Sequence, residues 1–382
     1  MQTRMNSINR SFAVENDAVN TTHWLFIEPG RIGDFVNSSV ALKIFLASKN
    51  AAIDLVVRSE VAPVVPHFVS SKRIYTIPSN DSWPSYLKLV VKICLSTYDG
   101  CCILSPGKSA WFLNKFVRAR HKMGYISYPD HKTSFFVSTC LSSDVPACKY
   151  DKQKDHLVVR GLKATCSITE NLTYSELLLR EEHYPRAYIS EPIIQKAIDI
   201  LKGHNIQLQK PLVVFHPGSR WVCKQWPSEC WIKLADILGR RGNQILIGAG
   251  PGEIDFARSL ALKVGSSTFF LSKPIPLDVY VGIIKVSQLL ISTDSSSMHL
   301  GASVGTPLVG IFGPTSQELS GPIGNPSRTK FVRNAPPCSP CGFPSDDISS
   351  SSCLVETHSC FKYLTPGMVL SIIDEIECLE IA

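Results

Sequence analysis

The sequence predicts an α/β protein made of two units, each with a parallel sheet covered by helices. Short apolar runs alternate with amphipathic stretches along residues 23–203, and a second series of the same kind begins at residue 212. Such alternation is typical of parallel strands joined by helices. The 382 residues are enough for two domains of ordinary size. We therefore expect an N-terminal unit at 23–203 and a C-terminal unit at 204–363, between a disordered leader at 1–22 and a last helix within 364–382.

The first unit begins with a predicted strand at 23–28 and a turn that leads into a helix at 35–48. Further strands are predicted at 51–58, 73–77 and 101–104, and further helices at 83–96, 110–119, 172–180 and 193–202. The turn carries Asp34, so that a carboxylate lies at the sheet edge where folds of this kind bind ligands. Asp34 can serve there as a general base or only as a cap for the helix.

The second unit shows the same alternation. Strands are predicted at 212–215, 244–247, 268–271, 289–291 and 308–312, with helices that begin at Pro227, Pro251, Leu277 and Ser296. An amphipathic run at 368–379 predicts the last helix. Thr365 suits its cap and Pro366 its first position, where the fixed φ of proline is already helical.

The stretch at 289–324 has the pattern of a phosphate site. A buried strand is followed by Asp294, by the hydroxyl residues Ser295 and Ser296, and by His299 in a short helix. Asp and Ser are good helix caps, and the free N–H groups of a first helical turn favour an anion. We expect these four residues to surround a diphosphate, with a role in the packed core as the alternative for His299.

A second pattern leads from the first strand of the second unit into its helix; it reads His216-Pro217-Gly218-Ser219, then Lys224-Gln225-Trp226-Pro227. Gly218 lets the backbone approach a phosphate, Ser219 can donate a hydrogen bond, and Lys224 supplies a point charge. Such donors lower the barrier to departure of a nucleotide diphosphate, which gains negative charge in the transition state. As alternatives, Lys224 would be a surface lysine and His216 a core histidine.

A glycine-rich turn at 247–253 also fits a nucleotide site. It offers Glu253 as a ligand for ribose hydroxyls. An acid in a first helical turn also suits the helix dipole, so that both interpretations of Glu253 stay open.

These motifs, in this order, resemble glycosyltransferase family 9, the bacterial heptosyltransferases that build the inner core of lipopolysaccharide. The matching residues are Gly33-Asp34, His216-Pro217-Gly218 with Lys224-x-Trp226-Pro227, Asp294-Ser295 with His299, and Phe312-Gly313-Pro314-Thr315. The resemblance implies a GT-B fold, in which two Rossmann-like domains face each other across a cleft and a C-terminal helix crosses back. It also implies that Asp34 is the base. Ser296 stands where the family usually has glycine.

The resemblance implies an inverting transfer of heptose from ADP-heptose to the lipopolysaccharide inner core, with no cofactor required for catalysis. Lys224, Ser219 and the helix start at Ser295 and Ser296 would hold the ADP diphosphate. The alternatives are a heptosyltransferase that modifies an autotransporter protein and a catalytically silent assembly subunit on the same fold. A nicotinamide oxidoreductase is disfavoured, because neither half has Gly-x-Gly-x-x-Gly after its first strand.

Four of the thirteen cysteines lie near the end of the chain, at Cys338, Cys341, Cys353 and Cys360. A Cys-x-x-Cys pair with two further cysteines is typical of a tetrahedral metal site, so that a structural zinc or iron ion is expected there. Free thiols and redox disulfides are the alternatives. The resemblance favours the metal, because protein-modifying heptosyltransferases carry a similar iron-binding finger.

The net charge of +7 lies entirely in the first half of the chain. Residues 1–190 carry 23 Lys and Arg against 16 Asp and Glu, and residues 191–382 carry 16 of each. The basic residues are densest at Lys108, Lys115, Arg118, Arg120 and Lys122. They form either a solvated helix face or a surface that meets an anionic acceptor or the anionic inner leaflet. Arg118, Arg120 and Lys122 would bind the acceptor. Nucleic acid is not expected as a partner.

The location expected from the sequence is the cytoplasm, with peripheral contact to the inner membrane. The first twenty residues are polar and lack the apolar core of a secretory signal. No apolar run approaches the ~18 residues of a membrane span.

Overall fold

The computed structural model describes residues 21–77, 83–105, 107–128, 148–151, 154–167, 172–219, 221–265, 268–271, 273–341 and 359–376. Two parallel sheets dominate this part of the chain. The first has five strands, in the order 73–77, 51–58, 22–28, 97–103 and 118–123. The second has six, in the order 268–270, 244–247, 212–216, 289–293, 308–312 and 329–333. The strands at 125–128 and 148–151 form a separate parallel pair. The predicted α/β class is therefore confirmed.

The strands of the first sheet and of the small pair are β1 Thr22–Glu28, β2 Ala51–Arg58, β3 Arg73–Ile77, β4 Thr97–Ile103, β5 Arg118–Met123, β6 Tyr125–Tyr128 and β7 Cys148–Asp151. The helices of this half are α1 Ile32–Ser48, α2 Val65–Phe68, α3 Trp83–Cys94, α4 Lys108–Phe116, α5 Leu157–Ala164 and α6 Tyr174–Leu178, with 3-10 turns at Ala62–Val64 and Glu181–His183.

The two faces of the first sheet are covered by different helices. Phe26 on one face packs with Phe35 of α1 and with the turn before α2. On the other face, Leu25 and Ile27 pack with α3 and α4. α1 therefore lies on the inner side of this unit, and α3 and α4 lie on the outer side.

The prediction of a helix at 110–119 is wrong beyond Phe116. Val117 has extended dihedral angles, and the next residues form the edge strand β5, in which Arg118 pairs with Thr97 and Met123 with Cys102. Charged residues alternate along β5, which is the period of a strand that lies at an edge and faces solvent on one side. That period was read as part of a helical face.

The strands of the second sheet are β8 Leu212–His216, β9 Gln244–Ile247, β10 Thr268–Phe270, β11 Leu289–Thr293, β12 Leu308–Phe312 and β13 Thr329–Arg333. The helices of this half are α7 Glu191–Gly203, α8 Ser228–Arg240, α9 Ile254–Val264, α10 Leu277–Val286, α11 Ser296–Ser303, α12 Gln317–Ser320 and α13 Pro366–Asp374, with 3-10 turns at Val222–Lys224 and Ser359–Phe361. The sequence did not predict β13. The predicted helix start at Pro251 lies three residues early, because Gly252 has a left-handed φ of +86° and helix α9 begins after it.

The predicted last helix is present as α13, with Thr365 as its N-cap and Pro366 at its first position. Its buried residues Val369 and Ile373 join the core beside Trp231 of α8. Arg241 also forms an ion pair with Asp374 at 2.9 Å. Within the described residues α13 thus packs on the second unit and does not cross back to the first, and the remainder of the predicted helix lies outside them.

The two units meet along helices α1 and α11. Leu300 of α11 and Val281 of α10 pack into the same cluster as Phe35 of α1. Helix α7, which the predicted boundary at 203/204 assigns to the first unit, packs with Ala197 and Leu201 against the second sheet. The domain boundaries themselves stay a prediction.

No helix among the described residues is both long and apolar enough to cross a lipid bilayer.

We predict that the Ile373→Ala variant lowers the free energy of unfolding by about 2–4 kcal/mol, because Ile373 is fully buried and the change leaves a cavity. The neighbouring half-buried Ile372 is the matched control, and Ile372→Ala should cost about 1 kcal/mol. Urea unfolding followed by circular dichroism measures both. Equal costs would contradict the packing of α13 on the second unit.

Candidate active site

The candidate base Asp34 lies in the first turn of α1, where two donors hold its carboxylate. The amide of Arg31 donates to Oδ2 at 3.0 Å, and Arg160 Nη2 donates to Oδ1 at 2.9 Å. Asp34 therefore does cap its helix, and its side chain still remains 29% exposed. Burial opposes ionisation, but Arg160 and the Arg31 amide outweigh it and hold the pKa of Asp34 below its ordinary value. Capping the helix and carrying an ionised carboxylate are thus compatible in Asp34.

A second carboxyl, Glu28, lies buried directly beneath this turn, at the end of β1. Its Oε1 accepts from the Gly30 amide at 2.9 Å, and its Oε2 accepts from Ser38 Oγ at 2.5 Å. Burial and the nearby Asp34 raise the pKa of Glu28, and Arg160 works against that rise. Arg160 therefore serves two carboxyls at once.

Glu28 and Arg160 are not among the site residues predicted from the sequence. Arg160 lies 126 residues from Asp34, so that no local pattern connects them. For Glu28 the sequence does contain a signal, because this acid ends an apolar strand next to a glycine turn. Buried acids almost always have a partner, so this position indicates a carboxyl with a specific contact.

His299 brings the two units together at this site. A Cβ on Gly33 would lie 3.0 Å from His299 Cδ2, so the ring rests directly on the Gly33-Asp34 turn. The ring is buried, and its Nδ1 has no hydrogen-bond partner among the described residues. Burial lowers the pKa of His299 and outweighs the opposite effect of the Asp294 and Asp34 carboxylates. The neutral imidazole thus lies close to a carboxylate from each unit.

Lys224 and Asp294 form a buried ion pair on the second unit. Lys224 Nζ donates to Asp294 Oδ2 at 2.6 Å, and Thr315 Oγ1 donates to the same oxygen at 2.6 Å. The lysine also lies 4.3 Å from the centre of the Trp221 ring. The side chain of Lys224 is only 14% exposed, which contradicts its interpretation as a surface lysine.

Glu253 lies behind the Gly218 turn and not in open space. Its Oε2 accepts from the Gly250 amide at 2.9 Å and lies 3.5 Å from His216 Nε2. His216 Nδ1 in turn lies 2.8 Å from the hydroxyl oxygen of Tyr280. Burial opposes ionisation of Glu253, but His216 and the Gly250 amide outweigh it and lower its pKa. An ionised, partly buried carboxylate thus supports the turn that carries Gly218.

The predicted phosphate donors lie on adjacent turns of the second unit. Thr293 Oγ1 donates to the carbonyl of Gly218 at 2.8 Å and so ties the end of β11 to the turn after β8. Ser219 Oγ is buried and accepts from the Trp221 amide at 3.4 Å. Ser295 is the N-cap of α11, and its hydroxyl does not cap the amides of the first turn. Of these amides, that of Met298 donates to the Ser295 carbonyl at 3.3 Å. Ser296 begins that helix.

The basic residues proposed for the acceptor are not brought to this site. Arg118 lies at the start of β5, and the start of a parallel strand is the sheet edge opposite to the one that carries Asp34. Arg120 lies 3.9 Å from Asp99, and Lys122 Nζ donates to the carbonyl of Asn114 in α4 at 2.6 Å.

The four late cysteines are not assembled within the described residues. Cys338 is exposed, Cys341 is half-buried and Cys360 is buried in the apolar core of the second unit. The described part of the chain contains no group of three or more His, Cys, Asp or Glu side chains placed to hold a metal. Cys353 lies outside the described residues.

We predict that Gly218→Ala and Glu253→Ala are strongly coupled. An added Cβ on Gly218 would lie 2.4 Å from Glu253 Oε2, so the methyl group fits only once that carboxylate is removed. In a double-mutant cycle of unfolding free energies, the double variant should be more stable than additivity predicts, by about 1 kcal/mol or more. Gly203→Ala is the control, because a Cβ there meets nothing within 4 Å, and it should add to Glu253→Ala. Additivity of the first pair would contradict the described geometry.

The sequence matches one protein family and several curated relatives. The profile of glycosyltransferase family 9 (heptosyltransferase) matches residues 87–346, a range that leaves out Asp34. Lipopolysaccharide heptosyltransferase 3 of Escherichia coli K12 is 31% identical over 282 residues, which are 70% of this chain and 75% of that protein. Lipopolysaccharide heptosyltransferase 1 of Pseudomonas aeruginosa is 27% identical over 131 residues, which are 34% of this chain and 36% of that protein.

Solved structures resemble the fold over most of the chain. E. coli ADP-heptose lipopolysaccharide heptosyltransferase II has a TM-score of 0.71 at 18% identity and covers 93% of this chain and 98% of that one. E. coli heptosyltransferase WaaC with ADP has a TM-score of 0.66 at 17% identity, over 92% and 99% of the two chains. The iron-containing dodecameric glycosyltransferase TibC of E. coli has a TM-score of 0.55 at 13% identity, over 93% and 76%. These likenesses confirm the predicted GT-B fold, and the family profile, which covers more than half of the sequence, shows that the chain belongs to glycosyltransferase family 9, the heptosyltransferases.

Proposed function

We propose that this chain is an inverting glycosyltransferase that moves heptose from ADP-heptose to the inner core of lipopolysaccharide. One observation carries the proposal. Asp34 of the first unit, held in its ionised form, meets His299 of the second unit, and His299 also lies close enough to Asp294 to feel its charge. A base on one unit thus lies near the Lys224–Asp294 pair of the other, which is the arrangement that a direct displacement between two substrates requires.

In the proposed reaction, Asp34 accepts the proton of the acceptor hydroxyl while that oxygen bonds to the anomeric carbon of the sugar. The bond from this carbon to the diphosphate breaks on the opposite side, and ADP leaves with the electron pair. Attack from the opposite side inverts the configuration at the anomeric carbon. The low pKa of Asp34 keeps the carboxylate ready at neutral pH, and Arg160 compensates for its burial.

The second unit would bind the diphosphate. Lys224 supplies a positive charge, Ser219 a hydroxyl, and the first turn of α11 at Ser295 and Ser296 supplies N–H donors. These groups face the oxygen that becomes negative as the sugar bond breaks, so that they stabilise the transition state. Glu253, which lies behind Gly218, remains the proposed partner of the ribose hydroxyls. No cofactor takes part in the proposed reaction.

The relatives support the choice of donor and acceptor. A structural neighbour is described with ADP, another with ADP-2-deoxy-2-fluoro heptose, and the curated relatives are named lipopolysaccharide heptosyltransferases. A lipid-linked acceptor would place the protein in the cytoplasm, in peripheral contact with the inner membrane surface.

A protein acceptor is the second candidate, because TibC is described as an iron-containing dodecameric glycosyltransferase of similar fold. A structural zinc or iron ion at Cys338, Cys341, Cys353 and Cys360 would accompany it and stays a prediction. The presence of both Asp34 and Lys224 in one site favours an active enzyme over a silent assembly subunit.

We predict that the protein binds ADP more tightly than UDP in titration calorimetry. The Lys224→Ala variant should weaken ADP binding by about tenfold or more, because a charge-assisted contact to the diphosphate is lost. Lys263→Ala, an exposed lysine at the end of α9, is the matched control and should bind as the wild type does. Absence of binding to either nucleotide would overturn the proposed function.

We further predict that Asp34→Asn lowers kcat by about 10²–10⁴-fold, because the acceptor hydroxyl loses its base.

The pH profile of kcat/KM tests what sets the pKa of Asp34. Because the reaction needs ionised Asp34, kcat/KM should fall as the pH drops through the pKa of Asp34. Arg160→Gln removes the compensating charge while burial remains, so the acidic limb of kcat/KM should move to higher pH. Arg186→Gln, on an exposed ion pair, should leave the limb in place. An unmoved limb in Arg160→Gln would contradict this role of Arg160.

A further inference from the structure

The outer face of the first unit exposes a row of large apolar side chains on α3. Leu87 is 52% exposed, Val91 51% and Leu95 82%, and a spacing of four residues places them along one side of the helix. Leu89 and Ile93 point the other way, into the core, and are almost fully buried. The helix is therefore apolar on two sides, and the core accounts for only one of them.

Phe116 extends this row onto α4. It is 43% exposed, and its carbonyl accepts from Cys94 Sγ at 3.1 Å, so the ends of α3 and α4 lie side by side. Four of the nine large hydrophobic side chains that are exposed in the described residues therefore lie together here. Single exposed hydrophobic residues are common on protein surfaces, but a contiguous group marks an interaction site.

The residues around this row are basic. Residues 84–98 and 109–123 contain six Lys and Arg and no Asp or Glu. Lys88 and Lys92 are exposed next to the apolar row, and Arg73 donates to Ser96 beside Leu95 at 3.2 Å. Asp99, which follows the first of these stretches, accepts from the His23 amide and lies 3.9 Å from Arg120.

The strand β5 adds Lys122 to the same side, because this lysine donates to the backbone of α4. We call the surface formed by Leu87, Val91, Leu95, Phe116 and the lysines Lys88, Lys92 and Lys122 the α3–α4 surface. It lies on the sheet face opposite to α1, and so it points away from the second unit.

We propose that the α3–α4 surface docks this protein on an anionic lipid bilayer. The surface of such a bilayer binds apolar side chains that are flanked by Lys and Arg. The apolar side chains enter the boundary of the acyl chains, and the positive charges contact the anionic headgroups. A second copy of this chain fits poorly, since two basic surfaces would repel each other. Docking does not depend on the proposed transfer reaction.

Co-sedimentation with vesicles of phosphatidylethanolamine and phosphatidylglycerol tests the proposal, with phosphatidylcholine vesicles as the neutral comparison. The wild type should bind the anionic vesicles, bind the neutral ones weakly, and dissociate as salt is added. Lys88→Glu with Lys92→Glu should lower the partition coefficient by about tenfold or more. Lys196→Glu with Lys202→Glu, two exposed lysines of α7, should leave it nearly unchanged.

The apolar part of the surface has its own matched pair. Leu95→Ser should weaken binding to anionic vesicles at high salt severalfold, whereas Leu262→Ser, an 80% exposed leucine on α9, should not. Both leucines are exposed, so both variants should keep the melting temperature of the wild type. Equal binding to neutral and anionic vesicles, or equal loss in both leucine variants, would overturn the proposal. Concentration-dependent self-association that Leu95→Ser abolishes, without vesicle binding, would assign the surface to a second copy and would also overturn it.

Discussion

The ion pair between Arg160 and Asp34 is the interaction on which the site depends. Without a fixed cation, a carboxylate in this partly buried turn, next to the buried Glu28, would tend to take up a proton. Arg160 comes from α5, and its neighbour Gly161 lets that helix approach α1 closely, because a Cβ there would lie 3.2 Å from Ala41 Cβ. The charge of the base is thus set by how closely two helices pack.

Helix α5 also connects this arrangement to the second unit. His156, its N-cap, accepts from the Val158 amide through Nδ1, so Nε2 carries the proton and donates to the carbonyl of Gly321 at 2.8 Å. Burial lowers the pKa of His156 to about 3, which keeps the ring neutral and this tautomer fixed at neutral pH. The helix that carries Arg160 therefore also contacts a loop of the opposite unit, and so it connects Asp34 with the second unit.

Much of this architecture could be predicted from the sequence, and the failures have a physical pattern. The inner strands of the second sheet, such as Gln244–Ile247 and Leu308–Phe312, are continuous apolar runs buried on both faces, which gives them an unambiguous signal. The edge strands Arg118–Met123 and Thr329–Arg333 are polar on one side and carry little of that signal. Local motifs predicted Asp34, but the tertiary contact that fixes its charge joins residues far apart in the sequence.

The proposed nucleotide site is arranged differently from the proposed base. Its cation is paired within the protein, because Lys224 donates to Asp294. Thr315 donates to the same carboxylate oxygen, so Asp294 keeps a hydrogen bond when Lys224 turns toward a ligand. A diphosphate would then replace one anionic partner of Lys224 by another, without ordering a flexible side chain. If Lys224 binds the leaving diphosphate as proposed, such pairing restricts the lysine in advance, and a restricted donor favours the transition state over the bound substrate.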